Sequence, residues 1–278
     1  MADLRETIRE EVRALFGTTD DNQLDLTRPE GDPGLIAAGS VAWRVHGDLT
    51  AMMIGGTASL LVQMLHPAAL AGVWDHSGFR RDMQGRLRRT AQFVSGMTYG
   101  STALAERLIE RVRRVHGHVR GALPDGTPYA ADDPALLTWV HVAEALCFLA
   151  SYRRHVDPAL SGADEDRYLA ETAEVARRLG ASDVPETRAA LAAALARYRP
   201  ALRVDHRTRE VAAALLGQPA PTPGLAPFRR LVMDGAVDLL PPWAARLHCF
   251  SPRPVRAAGT RLAVAGVGGV MRWALQGG

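Results

Sequence analysis

Residues 63–100 read QMLHPAALAGVWDHSGFRRDMQGRLRRTAQFVSGMTYG, and this stretch decides the architecture. It opens on the end of an apolar segment. Proline disfavours helix at the residue before it, so His66-Pro67 ends or bends that helix. Residues 75–84 form a turn-rich connection around Asp75-His76-Ser77-Gly78, and a further helix is expected from about 84 to 99. A second stretch answers it. Ala135–Tyr152 is apolar with His141 in its middle, and Asp133-Pro134 before it supplies an N-cap and a proline at the first helical position. His141, Glu144, Ala145, Phe148 and Tyr152 fall on one helical face. The two stretches read as the walls of one buried site.

Working outward, residues 49–65 are apolar all round, which marks a central buried helix. Gly55-Gly56 within it lets another backbone or a flat ligand come close. A short helix carrying Trp43 is expected before it, broken at His46-Gly47-Asp48. At the N-terminus, Leu4, Ile8, Val12 and Leu15 make an amphipathic stripe that a capping box at Asp3 opens and Gly17 stops. Residues 18–34 are a polar loop or docking arm. Downstream, helices are expected from Ser101 to Gly121, from Asp164 to Leu179, from Pro185 to Tyr198, and over 207–216 and 226–239. Pro124-Asp125-Gly126 is turn chemistry with room for a small hairpin. No stretch shows useful strand alternation, so the fold class is all-α. No long linker divides the chain, so one domain over 1–278 is expected, with a core at about 34–240 and a loose helical tail beyond.

Composition excludes several chemistries. All 33 basic residues are arginine. Without lysine there is no Schiff base, no pyridoxal-phosphate enzyme and no phosphate-loop lysine. Cys147 and Cys249 are far apart and show no CxxC pattern. The start, MADLRETIREE, has no signal-peptide core, so a cytoplasmic protein is expected. The apolar run 49–74 is broken by Gly55-Gly56, Gln63, His66 and Pro67, which argues against a membrane span. The tail from Pro254 to Leu275 is apolar; a membrane-surface helix is the alternative for it, against which its cationic face is sparse, so no membrane contact is expected.

The candidate site residues have competing readings. A histidine between Trp139-Val140 and Val142-Ala143 is desolvated if that face is buried, which favours the neutral imidazole that binds metals; the alternative is a core histidine satisfied by a carbonyl. Arg86 and Thr90, one turn apart, suit an anionic group, or else form a solvated basic face. Arg89, Phe93 and Met97 share the adjoining face. His66 and His76 read as caps or supporting groups, though three histidines with Glu144 also suit a non-haem metal. The Arg86-Leu87-Arg88-Arg89 cluster lacks aromatic platforms, so no nucleic acid is expected.

Several motifs in order resemble the MpaB-type oxygenase family, which includes the latex-clearing rubber oxygenases. They are Gln63-Met-Leu-His66-Pro67 with Ala71-Gly72-Val73, Asp75-His76-Ser77-x-Phe79, Gly85-Arg86-Leu87-x-Arg89-Thr90, Tyr99-Gly100, Pro124-Asp125-Gly126-x-x-Tyr129-x-Ala131, and Asp133-Pro134-x-Leu136-x-x-Trp139-Val140-His141. The likeness runs from about Trp43 to Tyr198 and is loose beyond residue 240. It implies a helical fold around haem b, with dioxygen as co-substrate and an electron donor of unassigned identity. By the resemblance, His141 is the iron ligand, Arg86 and Thr90 lie at the propionates, and Phe93 belongs to the haem wall. Arg89 stands where the rubber enzymes have a lysine that caps the iron. A guanidinium has no lone pair to give, so no such capped state is expected here; Arg89 is left to hydrogen-bond a propionate or oxygen. His66 is the candidate for a distal role. The reaction implied is oxidative C–C cleavage or hydroxylation, and the apolar wall of Phe93, Met97 and Phe148 suggests a hydrophobic, isoprenoid-like substrate. The alternatives are a non-catalytic haem or lipophile carrier and a non-haem metal oxidase.

Overall fold

A computed structural model of the chain describes residues 5–7, 9–10, 24–251 and 254–275. The N-terminal stripe at Leu4, Ile8, Val12 and Leu15, with its Asp3 cap and Gly17 stop, lies outside the described residues. The helices are α1 (Val41–His46), α2 (Leu49–Gln63), α3 (Pro67–His76), α4 (Met83–Tyr99) and α5 (Thr102–His116). After a hairpin of β1 (Arg120–Ala122) and β2 (Pro128–Ala130) come α6 (Pro134–His155), α7 (Gly162–Leu179) and α8 (Arg188–Tyr198). The chain continues through α9 (His206–Leu216), α10 (Ala226–Leu239), α11 (Pro242–Leu247) and α12 (Pro254–Leu275). The fold is all-α, with this one antiparallel pair as its strand content among the described residues.

The centre of the fold is the pair α2 and α6. A Cβ on Gly55 would meet the Cys147 carbonyl oxygen at 3.0 Å and the Phe148 ring at 3.0 Å, so glycine is what lets the two backbones approach. Ser151 Oγ, fully buried on α6, donates to the Ala51 carbonyl at 2.7 Å. Helix α6 is long and apolar enough to cross a membrane, and 72% of its most apolar window is buried inside the fold, as befits a central core helix. At the bend, Pro67 has no N–H to give the Gln63 carbonyl. That oxygen instead accepts from the His66 N–H at 3.1 Å and from Trp139 Nε1 at 3.1 Å. The fully buried indole of α6 is thereby fixed against the end of α2.

The arm before α1 is tied down by Arg28. Its guanidinium donates to the carbonyls of Pro33, Ile36, Thr98 and Tyr99 and lies 4.8 Å over the Trp43 ring. The last carbonyls of α4 are left open by the helix itself, and a cation there also suits the helix dipole. Glu171 of α7 caps α1 from the other side, accepting from the Ala42 N–H at 2.7 Å.

Two boundaries and the packing of the tail differ from the sequence expectation. α5 stops at Gly117 and not Gly121, because residues 120–122 pair with 128–130 as a strand. The helix expected from Pro185 starts only at Arg188, where Thr187 accepts from the Ala190 N–H. The tail is not loose: Val264 and Met271 of α12 belong to the main core cluster.

Candidate active site

A pocket opens between α1, α4, α6 and α7. Its walls are His46 from α1, Phe93, Met97 and Thr98 from α4, His141, Glu144 and Phe148 from α6, and Tyr168 and Thr172 from α7, with Ile36 of the arm at its edge.

The polar side chains of this wall are satisfied internally, with one exception. Thr98 donates its hydroxyl to the Val94 carbonyl at 2.9 Å, so its oxygen accepts from His46 Nδ1 at 2.7 Å. His46 therefore carries its proton on Nδ1, and Nε2 accepts from the Tyr168 hydroxyl at 3.0 Å. Thr172 donates to the Tyr168 carbonyl at 2.9 Å. Glu144 is hydrogen-bonded by the Gln63 side chain, and burial pushes its carboxyl up to about 7. The exception is His141. Its Nε2 is buried and has no partner, and burial pushes its pKa down to about 4, so the ring is neutral and Nε2 is free.

Of the residues singled out in the sequence, the structure brings His141 and Phe93 together in this pocket. Arg86 is half-buried two turns before Phe93 on α4 and has no hydrogen-bond or ion-pair partner for its guanidinium among the described residues. Burial, helped by the nearby charge of Arg89, pushes it down to about 10. Thr90 is exposed and its hydroxyl turns back to the Arg86 carbonyl at 3.2 Å. Arg89 is exposed outside the pocket, 3.4 Å from Asp82 at the start of α4. His66 also lies outside. It precedes α3 at the bend, against the rings of Trp139 and Tyr198, with Nδ1 buried and unpartnered. Trp139 and His141 are two residues apart, so they point roughly 200° apart around α6, and a histidine packed on one cannot share the other's pocket. His76 instead meets the Tyr129 hydroxyl at 3.2 Å, and that hydroxyl donates to Asp75 at 2.5 Å. Among the described residues no three His, Cys, Asp or Glu side chains converge as a metal site. Cys147 is fully buried and held as a thiol, its pKa pushed up by burial and by Glu144.

Sequence reasoning missed His46, Thr98 and Tyr168. Each comes from a different helix, and His46 reads as a helix-ending residue, so no spacing rule joins them.

His46 gives a pH prediction. Burial holds its folded pKa at about 4 against 6.5 when free. The unfolded chain therefore binds the extra proton between these values, and stability is full above about pH 6.5 and falls as pH drops toward 4. The loss is on the order of 3 kcal/mol at most for this group. Thermal unfolding between pH 7.5 and 4.5 checks it: His46→Gln should show a visibly shallower fall than the wild type, and an equal slope contradicts the assignment.

No curated protein and no solved structure matches the chain. A family model does, described as ER-bound oxygenase mpaB/B'/Rubber oxygenase, catalytic domain, and it matches residues 43–273. That span takes in the helices α1 to α12 but for the first two residues of α1 and the last two of α12, and it carries the likeness well past residue 198, through the pocket and the C-terminal helix. The chain belongs to the mpaB/rubber oxygenase catalytic-domain family.

Proposed function

We propose that this oxygenase works with haem b held in the His141 pocket and oxidises a small hydrophobic substrate of isoprenoid-like character with dioxygen, by C–C cleavage or hydroxylation. The observation that carries the reading is the free, buried, neutral Nε2 of His141 in a wall whose other polar side chains are already satisfied. Such a wall favours an apolar ligand with one electron-accepting centre, and a haem is that ligand. A lone histidine with no converging second and third ligand fits a porphyrin, which brings four nitrogens of its own, better than a bare ion.

His141 would hold the iron and Arg86 a propionate. Bound haem supplies the site for dioxygen reduction, with electrons from an external donor. The chain's own residues shape what surrounds it. A guanidinium without a counter-ion is suited to a carboxylate in a fork, and Thr90, one turn on, keeps its hydroxyl on the helix until a better acceptor is near. Phe93, Met97 and Phe148 offer an apolar face that excludes water and orients a hydrocarbon. Glu144, its carboxyl pushed up to about 7 by burial, is able to hold a proton inside the pocket wall near neutral pH.

An absorbance scan of the purified protein before and after dithionite tests the reading. A Soret band that shifts on reduction supports it; a preparation that stays colourless after added hemin overturns it. Reduced protein given oxygen and a set of alkenes separates an oxygenase from a carrier, which yields no product. Arg86→Ala is expected to weaken haem retention by roughly 1–3 kcal/mol, the scale of a lost charged hydrogen bond. Transfer of haem to apomyoglobin measures it, and a rate equal to wild type removes Arg86 from the propionate.

A further inference from the structure

The pocket is a trough that follows α6. His141 and Phe148 line it two turns apart, about 10 Å along the helix. Around Phe148 gather three further wall residues, His46, Thr98 and Tyr168. These three are tied to one another, because His46 is hydrogen-bonded to Thr98 at 2.7 Å and to Tyr168 at 3.0 Å. Moving any of them leaves a buried polar group without its partner, which is costly. Phe148 has no such tie. Its ring meets the His46 ring edge-on, with centroids 5.5 Å apart, and a phenyl group is held by packing alone.

Behind that ring stand Gly55 and Gly56 of α2. A Cβ on Gly55 would meet Phe148 Cδ1 at 3.0 Å, and one on Gly56 would meet Cε1 at 3.5 Å and Cζ at 4.0 Å. The ring therefore lies along the double glycine and fills the groove that two missing side chains leave. The flat group that this glycine pair admits is a side chain of the chain itself. The two glycines are not equivalent. Gly55 is required by the close approach of the α6 backbone, whereas a methyl group at Gly56 finds ordinary van der Waals contact. Gly56 is also only half-buried, so the groove runs toward the surface. Phe148 is thus a partition, with the trough on one side and the glycine groove on the other.

We propose that Phe148 is the residue that sets the length of hydrocarbon chain this pocket accepts, by closing the trough against the Gly55-Gly56 groove. The proposal rests on the reading of an apolar, isoprenoid-like substrate and not on the haem. A ring backed by a helix rejects a chain that runs too far by overlap with it, and overfilling a packed apolar space is destabilising. The hydrogen-bonded residues beside it fix the rest of that wall. Replacing the ring with the methyl group of alanine removes about six carbons, close to the bulk of one isoprene unit. The groove over Gly56 then becomes part of the trough.

Binding of geraniol, farnesol and geranylgeraniol, each one isoprene unit longer than the last, tests it. Displacement of a fluorescent polyene fatty acid from the full chain as purified gives the affinities. Wild-type protein is expected to bind the series up to a limiting length and more weakly beyond it. For the first alcohol past that limit, Phe148→Ala should bind roughly tenfold tighter than wild type or more. Adding Gly56→Leu to that variant refills the groove from α2 and should restore the wild-type limit. If Phe148→Ala is unfolded at the assay temperature, Phe148→Leu should move the limit in the same direction by less. The same limit in wild type and in the folded Phe148 variant overturns the proposal. So does wild-type affinity that rises through the whole series, or a limit that Gly56→Leu does not restore. Wild-type protein that binds none of the alcohols fails the apolar-substrate reading, and the proposal with it.

Discussion

His141→Ala is expected to yield a folded protein that no longer retains haem. The side chain is buried, but it borders an existing pocket, so its removal enlarges a space without tearing open the core. α6 keeps its fully buried Trp139, Val142 and Ala143 in place, and the fold should survive with a melting temperature close to that of the haem-free wild type. The loss is in binding. Without an iron ligand, hemin affinity should fall by roughly 100-fold or more, which is about 3 kcal/mol. Titration with hemin, followed by Soret absorbance and by resonance Raman of the axial bond, measures both the affinity and the ligand. Added imidazole should restore part of the spectrum by occupying the emptied position. Two results count against His141. An unchanged axial-ligand spectrum in the variant transfers the iron to another histidine, of which His46 is the one in the same pocket. An unfolded variant leaves the ligand question to His141→Gln, which fills the space without an imidazole and should lose the Soret band in the same way.

The periodic features of the chain were legible in advance and the long-range ones were not. Asp133-Pro134 marks the start of α6 and Pro124-Asp125-Gly126 the hairpin turn, because caps and turns are written in neighbouring residues. The same local rules set His141 and Phe148 on one face, and that face does line the pocket. They fail where two distant segments decide the matter. Arg28 looks like any polar residue of a loop, and only the packed fold shows its guanidinium holding four carbonyls from the arm and α4. His46 looks like the point where a short helix gives out. In the fold it is the last residue of α1, and Thr98 and Tyr168 reach it from segments 52 and 122 residues away. His66 reads as a candidate for a distal role, but it packs on Trp139, on the other side of α6 from His141, and that arrangement is fixed by tertiary packing.

Trp139 is fully buried on the opposite side of α6 from His141, and its replacement by alanine is expected to have the largest effect on stability in the chain. The indole is among the largest side chains to be fully buried, so its loss combines an apolar transfer term with a cavity that neighbouring helices cannot close. The expected cost is about 3–5 kcal/mol. In a chain of this size that lowers the melting temperature by on the order of 10 °C. The hydrogen bond from Nε1 to the Gln63 carbonyl adds a smaller part, since that oxygen still accepts from the His66 N–H. Trp139→Phe isolates it: the ring volume is largely kept, and the cost should fall to about 1–2 kcal/mol. The pair also separates stability from site geometry. If the indole positions α6, then Trp139→Phe, though mostly stable, should shift the Soret maximum or weaken hemin binding, because His141 is carried on the same turns. Equal hemin affinity in Trp139→Phe and wild type would show that α6 is oriented by its contacts with α2 and α7 alone, and that Trp139 serves the core without serving the pocket.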